Sequence, residues 1–388
     1  MDNIFKVIES LTGDLPKVKE AIEELRQVDT LLTQISKTSQ NLSLADLTRM
    51  GDASFHMAGE YGKSAADYLT GIQEASQAGY QDAQGIAELS LALQTASDMT
   101  SQLASQLIQA TDEAYNMNGS VERLTAALDG MVSISSHNTL NMEELSQGVS
   151  SISSTAASLG VSAAQATAAL GAMMDATRDS GSDTAQAFQS ILLYTRQISD
   201  SSAGITADGL KEYEEACAAL NIKLKETRDG VVSLRNPMDI LGELSLAYNK
   251  LSDSDSRKTG LLSALGEESQ SKHLDALLRQ WDTYESMLYQ YTTGAGAMTD
   301  KVSMTADSWE GSLNHLSNTW FSVINNIVDS DSLIFLVNNL NNVISAIDRL
   351  TGKVKSMTGD LGNVGALIGL LASMKNVGKP KMFGFISL

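Results

Sequence analysis

Four histidines, His56, His137, His273 and His315, are the first candidates for metal or acid–base chemistry. None has a partner four positions away, so zinc ligation and a histidine relay lack support, and packed or solvated imidazole is the simpler reading. Gly62-Lys63-Ser64 has the form of the end of a phosphate-binding loop. Met57 stands where that loop would open on glycine, however, and no strand leads into it. Lys258-Thr259-Gly260 and Ser269-Gln270-Ser271-Lys272 match two penicillin-binding motifs, but in reversed order and without Ser-Asp-Asn. Gly294-Ala295-Gly296 lacks the third glycine of a dinucleotide loop and follows a helical stripe rather than a strand. The acidic pairs Glu143-Glu144, Glu214-Glu215 and Glu267-Glu268 fall where solvated helix faces belong. Cys217 reads as a small apolar residue of a helix from Leu210 to Leu220. No nucleophile, base and orienting group converge in any segment, so no catalytic, metal or cofactor site is expected, and no enzyme.

The elements that carry these residues read as helices. Of 388 residues only three are proline, at Pro16, Pro237 and Pro380, and aromatics make up 5%. The filler is Ala, Ser, Gln, Thr and Leu, which predicts thin apolar seams rather than one thick core, and an elongated assembly. With 27 basic against 47 acidic residues the net charge is −20. Direct nucleic-acid binding is therefore not expected, because counterion release needs a basic face. Met1 to Leu11 carries Asp2, Lys6 and Glu9 where the apolar part of a signal peptide would lie.

The fold class expected is mainly α: an elongated helical bundle with coiled-coil segments and one small β-hairpin insert. Five regions follow. Residues 1–50 hold amphipathic coiled helices, with Ile4, Leu11, Val18 and Leu25 on the seam and a break at Gly13-Asp14-Pro16 that starts a second helix near Leu15. Residues 51–200 are rich in Ala, Gly and Ser and contain a faint repeat, in which Ala58 to Ala66 echoes Ala156 to Ala164. Gly62 and Gly160 are placed as left-handed helix ends, Ser64 and Ser162 as N-caps, and Gly79 and Gly181 as the glycines that close the next helix. Residues 201–236 combine a helix with a hairpin: Asn221 to Lys225 alternates, Asp229-Gly230 is the turn, with positive φ at Gly230, and Val231 to Leu234 returns. Residues 237–355 open with Asn236 as N-cap and Pro237 at N1. A polar break follows at Ser252 to Lys258, then a stripe through Leu274, Leu277, Trp281, Tyr284, Leu288 and Tyr291, from which the heptad Trp281 to Met287 could be removed in phase. A further stripe passes through Trp309, Leu313, Leu316, Trp320, Ile324 and Ile327. The stripes from Ile4 to Leu25 and from Leu274 to Tyr291 are too narrow for a monomer, which predicts a homo-oligomer. Residues 356–388 are apolar and Gly-rich; Val364 to Ala372 is too short to span a bilayer, and the abrupt apolar end suggests a gene fragment.

From about Ala21 to Lys353 the sequence resembles the core region of phage tail tape measure proteins. The likeness is carried by Ala21 to Leu25 with Gly62-Lys63-Ser64 and Ala78-Gly79-Tyr80. It continues through Ala157 to Ser162, Leu170-Gly171 and Ser180-Gly181-Ser182, and through Leu220-Asn221-Ile222, Asp229-Gly230, Arg235 and Met238 to Leu241. Leu261 to Leu278 and Thr293 to Ser330 complete it. The resemblance implies a virion component, assembled in the host cytoplasm, that lies in the lumen of the tail tube, sets its length and takes part in genome ejection. It implies the tail tube protein, tail assembly chaperones and baseplate or tail tip proteins as partners, and host membrane contact through a hydrophobic segment beyond Leu361. The alternative is a secreted or membrane-acting helical bundle, a pore-forming toxin or an export substrate of the Trp-x-Gly kind, suggested by Trp309-Glu310-Gly311. The mid-chain hairpin and the charged opening segment weigh against it.

Overall fold

Short helices ended by polar caps build the chain. The computed structural model describes residues 16–38, 42–228 and 231–306. They form α1 (Pro16–Thr38), α2 (Leu44–Tyr61), α3 (Ala65–Gln77), α4 (Ala83–Ser97), α5 (Ser101–Tyr115), α6 (Val121–His137), α7 (Met142–Ser158), α8 (Ala163–Thr177) and α9 (Gly181–Thr195). After a 3-10 turn at Ser201–Ala203 come α10 (Ala207–Ala219), β1 (Lys225–Arg228) and β2 (Val231–Leu234). The described part closes with α11 (Pro237–Tyr248), α12 (Ser256–Ser263), α13 (Glu268–Arg279), α14 (Trp281–Thr293) and α15 (Ala297–Ala306). The described residues thus form the expected mainly α class, with one small hairpin among them.

The chain divides into two units, one of Met1–Gln73 with Thr305–Leu388 and one of Glu74–Met304. In the first, α1 packs on α2, with Gly51 of α2 close to the Leu32 side chain, and the Glu24 carboxylate accepts from the Ala65 N–H at 2.9 Å. In the second, α7 packs extensively on both α5 and α9, α8 packs on α7, α13 and α14, and α14 also packs on α6. Leu107, Leu128, Leu145, Leu170, Phe188, Ile191, Leu241 and Leu274 are fully buried in one contiguous core. This corrects the expectation of thin seams for Glu74–Met304. Ala, Ser and Gly do not thin the core; they bring helix backbones together, so the sparse Leu, Ile and Met interdigitate across several helices at once.

The repeat is real in its caps and corrected in its alignment. Ser43 and Asn141 cap α2 and α7, Ser64 and Ser162 cap α3 and α8, and Asp82 and Ser180 cap α4 and α9. Each pair is 98 residues apart. So are the closing bonds Lys63 N–H to Ala58 O and Val161 N–H to Ala156 O, and both ends of the 15-residue helices α4 and α9. Gly79, with φ +85°, does end α3, but Gly181 does not end α8. Arg178 takes that left-handed place, at φ +60°, and Gly181 is the first residue of α9. A Cβ on Gly181 would lie 1.7 Å from the Glu144 carbonyl oxygen of α7, so its lack of a side chain serves close approach, not a turn.

Three further expectations shift. Asn221 to Lys225 is not the strand: Asn221 has φ +62°, Ile222 and Leu224 are buried, and β1 begins only at Lys225. The polar break ends at Asp255, which caps α12, so Ser256 to Lys258 are helical. The stripe from Leu274 to Tyr291 belongs to two helices, interrupted at Gln280 (φ −99°, ψ 27°), because α13 packs on α8, α9 and α11 whereas α14 packs on α8 and α6. Its apolar side chains are spent in the unit's own core, which removes the reason for assigning this stripe to self-association.

Candidate functional site

The densest polar grouping lies where α11, α12 and α13 meet. Lys258, only 5% exposed, donates to Asp253 Oδ1 at 3.1 Å, and its Nζ sits 4.6 Å from the centre of the Tyr248 ring. Arg279 donates to the same Asp253 oxygen at 3.1 Å and to Asp275 Oδ1 at 2.8 Å, and the Tyr248 hydroxyl also donates to Asp275. Two cations, two carboxylates and a phenol therefore neutralise one another around a shallow cleft of ≈ 320 Å³. Lys258 and Arg279 hold the Asp253 carboxyl below its usual range, whereas burial and Asp275 push the Tyr248 phenol up. The arrangement ties the α11–α12 loop to α13.

A second cluster joins α8 to α13. Lys272 donates to Asp179 Oδ2 at 2.6 Å, and the fully buried His273 places Nε2 3.3 Å from that oxygen, with Nδ1 2.7 Å from the Ser269 carbonyl. The packed-imidazole reading holds for His273. Asp129, 5% exposed on α6, accepts from the backbone N–H groups of Gly296 at 2.7 Å and Met298 at 2.9 Å. A carboxylate more than 160 residues away in sequence thus caps the start of α15. An acid inside the apolar run Ala127 to Met131 was the only sequence sign of it. Cys217 is buried, and burial raises its thiol to about 12, consistent with a packed apolar role. Among the described residues no group of His, Cys, Asp and Glu has the arrangement of a metal site, and no helix is long and apolar enough to cross a membrane.

The cap residues read from sequence fall largely where expected. Gly62 (φ +65°) and Gly160 (φ +82°) are left-handed, Ser64 exchanges cap hydrogen bonds with Asp67, and Ser162 with Gln165. Asn236 caps α11 through the Met238 N–H at 2.8 Å, with Pro237 at N1, and its amide also donates to the Gly160 carbonyl at 2.9 Å. Asp229 and Gly230 lie outside the described residues, although the pairing of Arg228 with Val231 leaves two residues for the turn. Of the seam residues, Leu274 is fully buried and Trp281 and Leu288 are partly buried against the core. Val18 and Leu25 fall within α1. Ile4, Leu11, Trp309, Leu316 and Trp320 lie outside the described residues, as does the apolar run after Leu361.

The hairpin is anchored at its base. Arg196, at the end of α9, donates to the carbonyls of Leu234 at 3.3 Å and Arg235 at 2.9 Å. Lys225 pairs with Glu214 of α10 at 3.0 Å, and Arg235 pairs with Glu243 of α11.

What these sites share is fixation of helices, which suits a structural role. No curated protein and no solved structure matches the chain. The model of one family, phage-related minor tail protein, matches residues 51–266, from α2 to the end of α12 and more than half of the chain. The matched span contains the second copy of the capped helical repeat, most of the first and the hairpin, and on it the chain belongs to the phage-related minor tail protein family.

Proposed function

We propose that this phage tail protein is the tape measure of its tail: a scaffold and length ruler in the tube lumen that takes part in genome ejection. Family membership over residues 51–266 carries the reading. Two features support it. The amphipathic seams read at Ile4 to Leu25 and Trp309 to Ile327 flank the matched region, as spacers would flank a docking core. The net charge of −20 suits a filament that keeps DNA out of the space it occupies until ejection. Tail tube protein, assembly chaperones and tail tip proteins are the partners this role requires.

The test is a clean deletion of the gene in the phage, with mass spectrometry of purified wild-type tails. Expected are peptides from this chain inside intact tails, and tubes that are absent or of unregulated length in the mutant. Mutant tails of normal length would overturn the ruler role.

A further inference from the structure

Tyr194, near the end of α9, is 3% exposed, with its ring 5.7 Å from that of the fully buried Tyr213. Its hydroxyl nevertheless has no hydrogen bond among the described residues. That hydroxyl is aimed at glycines. A Cβ on Gly209 would lie 3.2 Å from it and one on Gly266 3.9 Å, and a Cβ on Gly204 would lie 3.7 Å from Glu267 Oε1. Gly204 and Gly266 are left-handed, at φ +71° and +80°. The 3-10 turn, the start of α10 and the start of α13 thus meet around the hydroxyl through backbones that carry no side chain. Burial, and then the Glu267 and Glu212 carboxylates, push this phenol up, so both carboxylates act on it. Glu267 uses Oε2 to accept from Gln270 at 3.3 Å, which leaves Oε1 on the Gly204 side. Lys211 pairs with Glu215 and Lys225 with Glu214, so neither of these lysines neutralises Glu212. The two helix starts contribute about +0.5 each, against the carboxylates of Glu212 and Glu267 and of the first-turn Asp208 and Glu268. The recess is therefore negative.

We infer that the recess at the Tyr194 hydroxyl binds one primary ammonium group, the head of a partner's lysine side chain or of a free alkylamine. An ammonium carries three donors and no acceptor, which matches the phenol oxygen and one oxygen each from Glu267 and Glu212. Calcium or magnesium takes six or more oxygens, and two carboxylates with a phenol fall short of that set. A guanidinium favours a planar, bidentate fork on one carboxylate, whereas these two carboxylates come from α10 and from the start of α13. The surplus of carboxylates disfavours an anion. The glycines keep the approach to the hydroxyl open, since a Cβ at Gly209 would stand in contact with it. A single ionic contact of this kind is weak alone and strengthens when the partner is already held nearby in a tail. The inference does not depend on the ruler reading or on the seams outside the described residues.

The test is saturation-transfer NMR on the full chain at constant ionic strength, with butylammonium as the probe of the lysine head. Binding should saturate, and tetramethylammonium, a cation without donors, should bind far more weakly. Tyr194→Phe and Glu212→Gln should each weaken butylammonium by about ten-fold or more, as loss of a hydrogen bond to a charged group does. Glu212 is exposed, so its variant keeps the test informative even if the tyrosine variant folds poorly. Glu143→Gln is the control for diffuse attraction. It neighbours Glu144, which binds the Gly181 N–H at the opposite end of α9, about 20 Å away along the helix, and should change nothing. Two further arms separate the sources, a blocked Gly-Lys-Gly peptide and spermidine: tighter binding of the first assigns the site to a partner's lysine, and of the second to a free amine. No saturable binding, equal binding of tetramethylammonium, no effect of Glu212→Gln, or an equal loss in Glu143→Gln would each overturn the inference.

Discussion

Gly181 and Gly260 show how differently one residue type is used. A Cβ at Gly181 meets the Glu144 carbonyl, part of a backbone that cannot swing aside, whereas a Cβ at Gly260 meets nothing within 4 Å. Gly181→Ala is expected to destabilise by about 1–3 kcal/mol or more, as overpacking does. Gly260→Ala, inside α12, should stabilise by about 0.5–1 kcal/mol through helix propensity and a less flexible unfolded chain. Chemical denaturation of both variants checks the pair; similar losses would contradict the close approach of α7 and α9. The buried phenols give a pH prediction at the same scale. Burial raises Tyr115 to about 12 and pushes Tyr213, Tyr284 and Tyr291 up as well. Because the folded values lie above the unfolded ones, this stability is fully present below pH about 10 and is lost as pH rises through about 12. Phenolate absorbance should therefore appear in two stages, the second together with loss of the helical circular-dichroism signal. Complete ionisation while the helices persist would count against this burial.

The helix α14 is where sequence and structure part most usefully. Its stripe was legible, because Tyr284 and Met287 are buried three residues apart, but the break at Gln280 was not. Spacing of three and four continues unbroken across it, and only the different neighbours of α13 and α14 require the bend. Nor could sequence show that α14 lies against glycines: a Cβ on Gly130 would meet the Tyr291 ring at 2.6 Å and one on Gly171 the Met287 sulfur at 2.8 Å. Removing Trp281 to Met287 keeps the phase of the stripe yet deletes a fully buried methionine, so this segment is not a free spacer. Met287→Ala alone should cost about 2–5 kcal/mol, read as a lowered unfolding midpoint. Asp129→Ala tests the long-range cap. It leaves the Gly296 and Met298 N–H groups without their acceptor, so hydrogen exchange across α15 should speed well before global stability falls by about 1–3 kcal/mol. Unchanged exchange in α15 would show that the carboxylate does not hold the helix start.

At the scale of the whole chain, the class of fold and the caps at Ser64, Ser162 and Asn236 could be read from Ser, Asn and Gly placed between helical runs, because caps are local chemistry. The contiguous core of Glu74–Met304 could not, since Ala- and Ser-rich helices show little apolar contrast until their partners are known. That difference bears on the ruler. A straight helix advances about 1.5 Å per residue, but α4 to α14 fold back on one another, so Glu74–Met304 cannot supply length at that rate while folded. The two parts of the chain should respond differently to deletion in the phage. Removing two heptads, Leu313 to Asn326, brings Ile327 into the place of Leu313 and keeps the seam read from sequence in phase. Tails should then shorten by about 21 Å, by electron microscopy of many particles. An equal deletion inside Glu74–Met304 should abolish tails rather than shorten them, because it removes core helices. Equal shortening from both deletions would mean that the helical unit unfolds into the filament during assembly. Unchanged length after the first would take the seam out of the ruler.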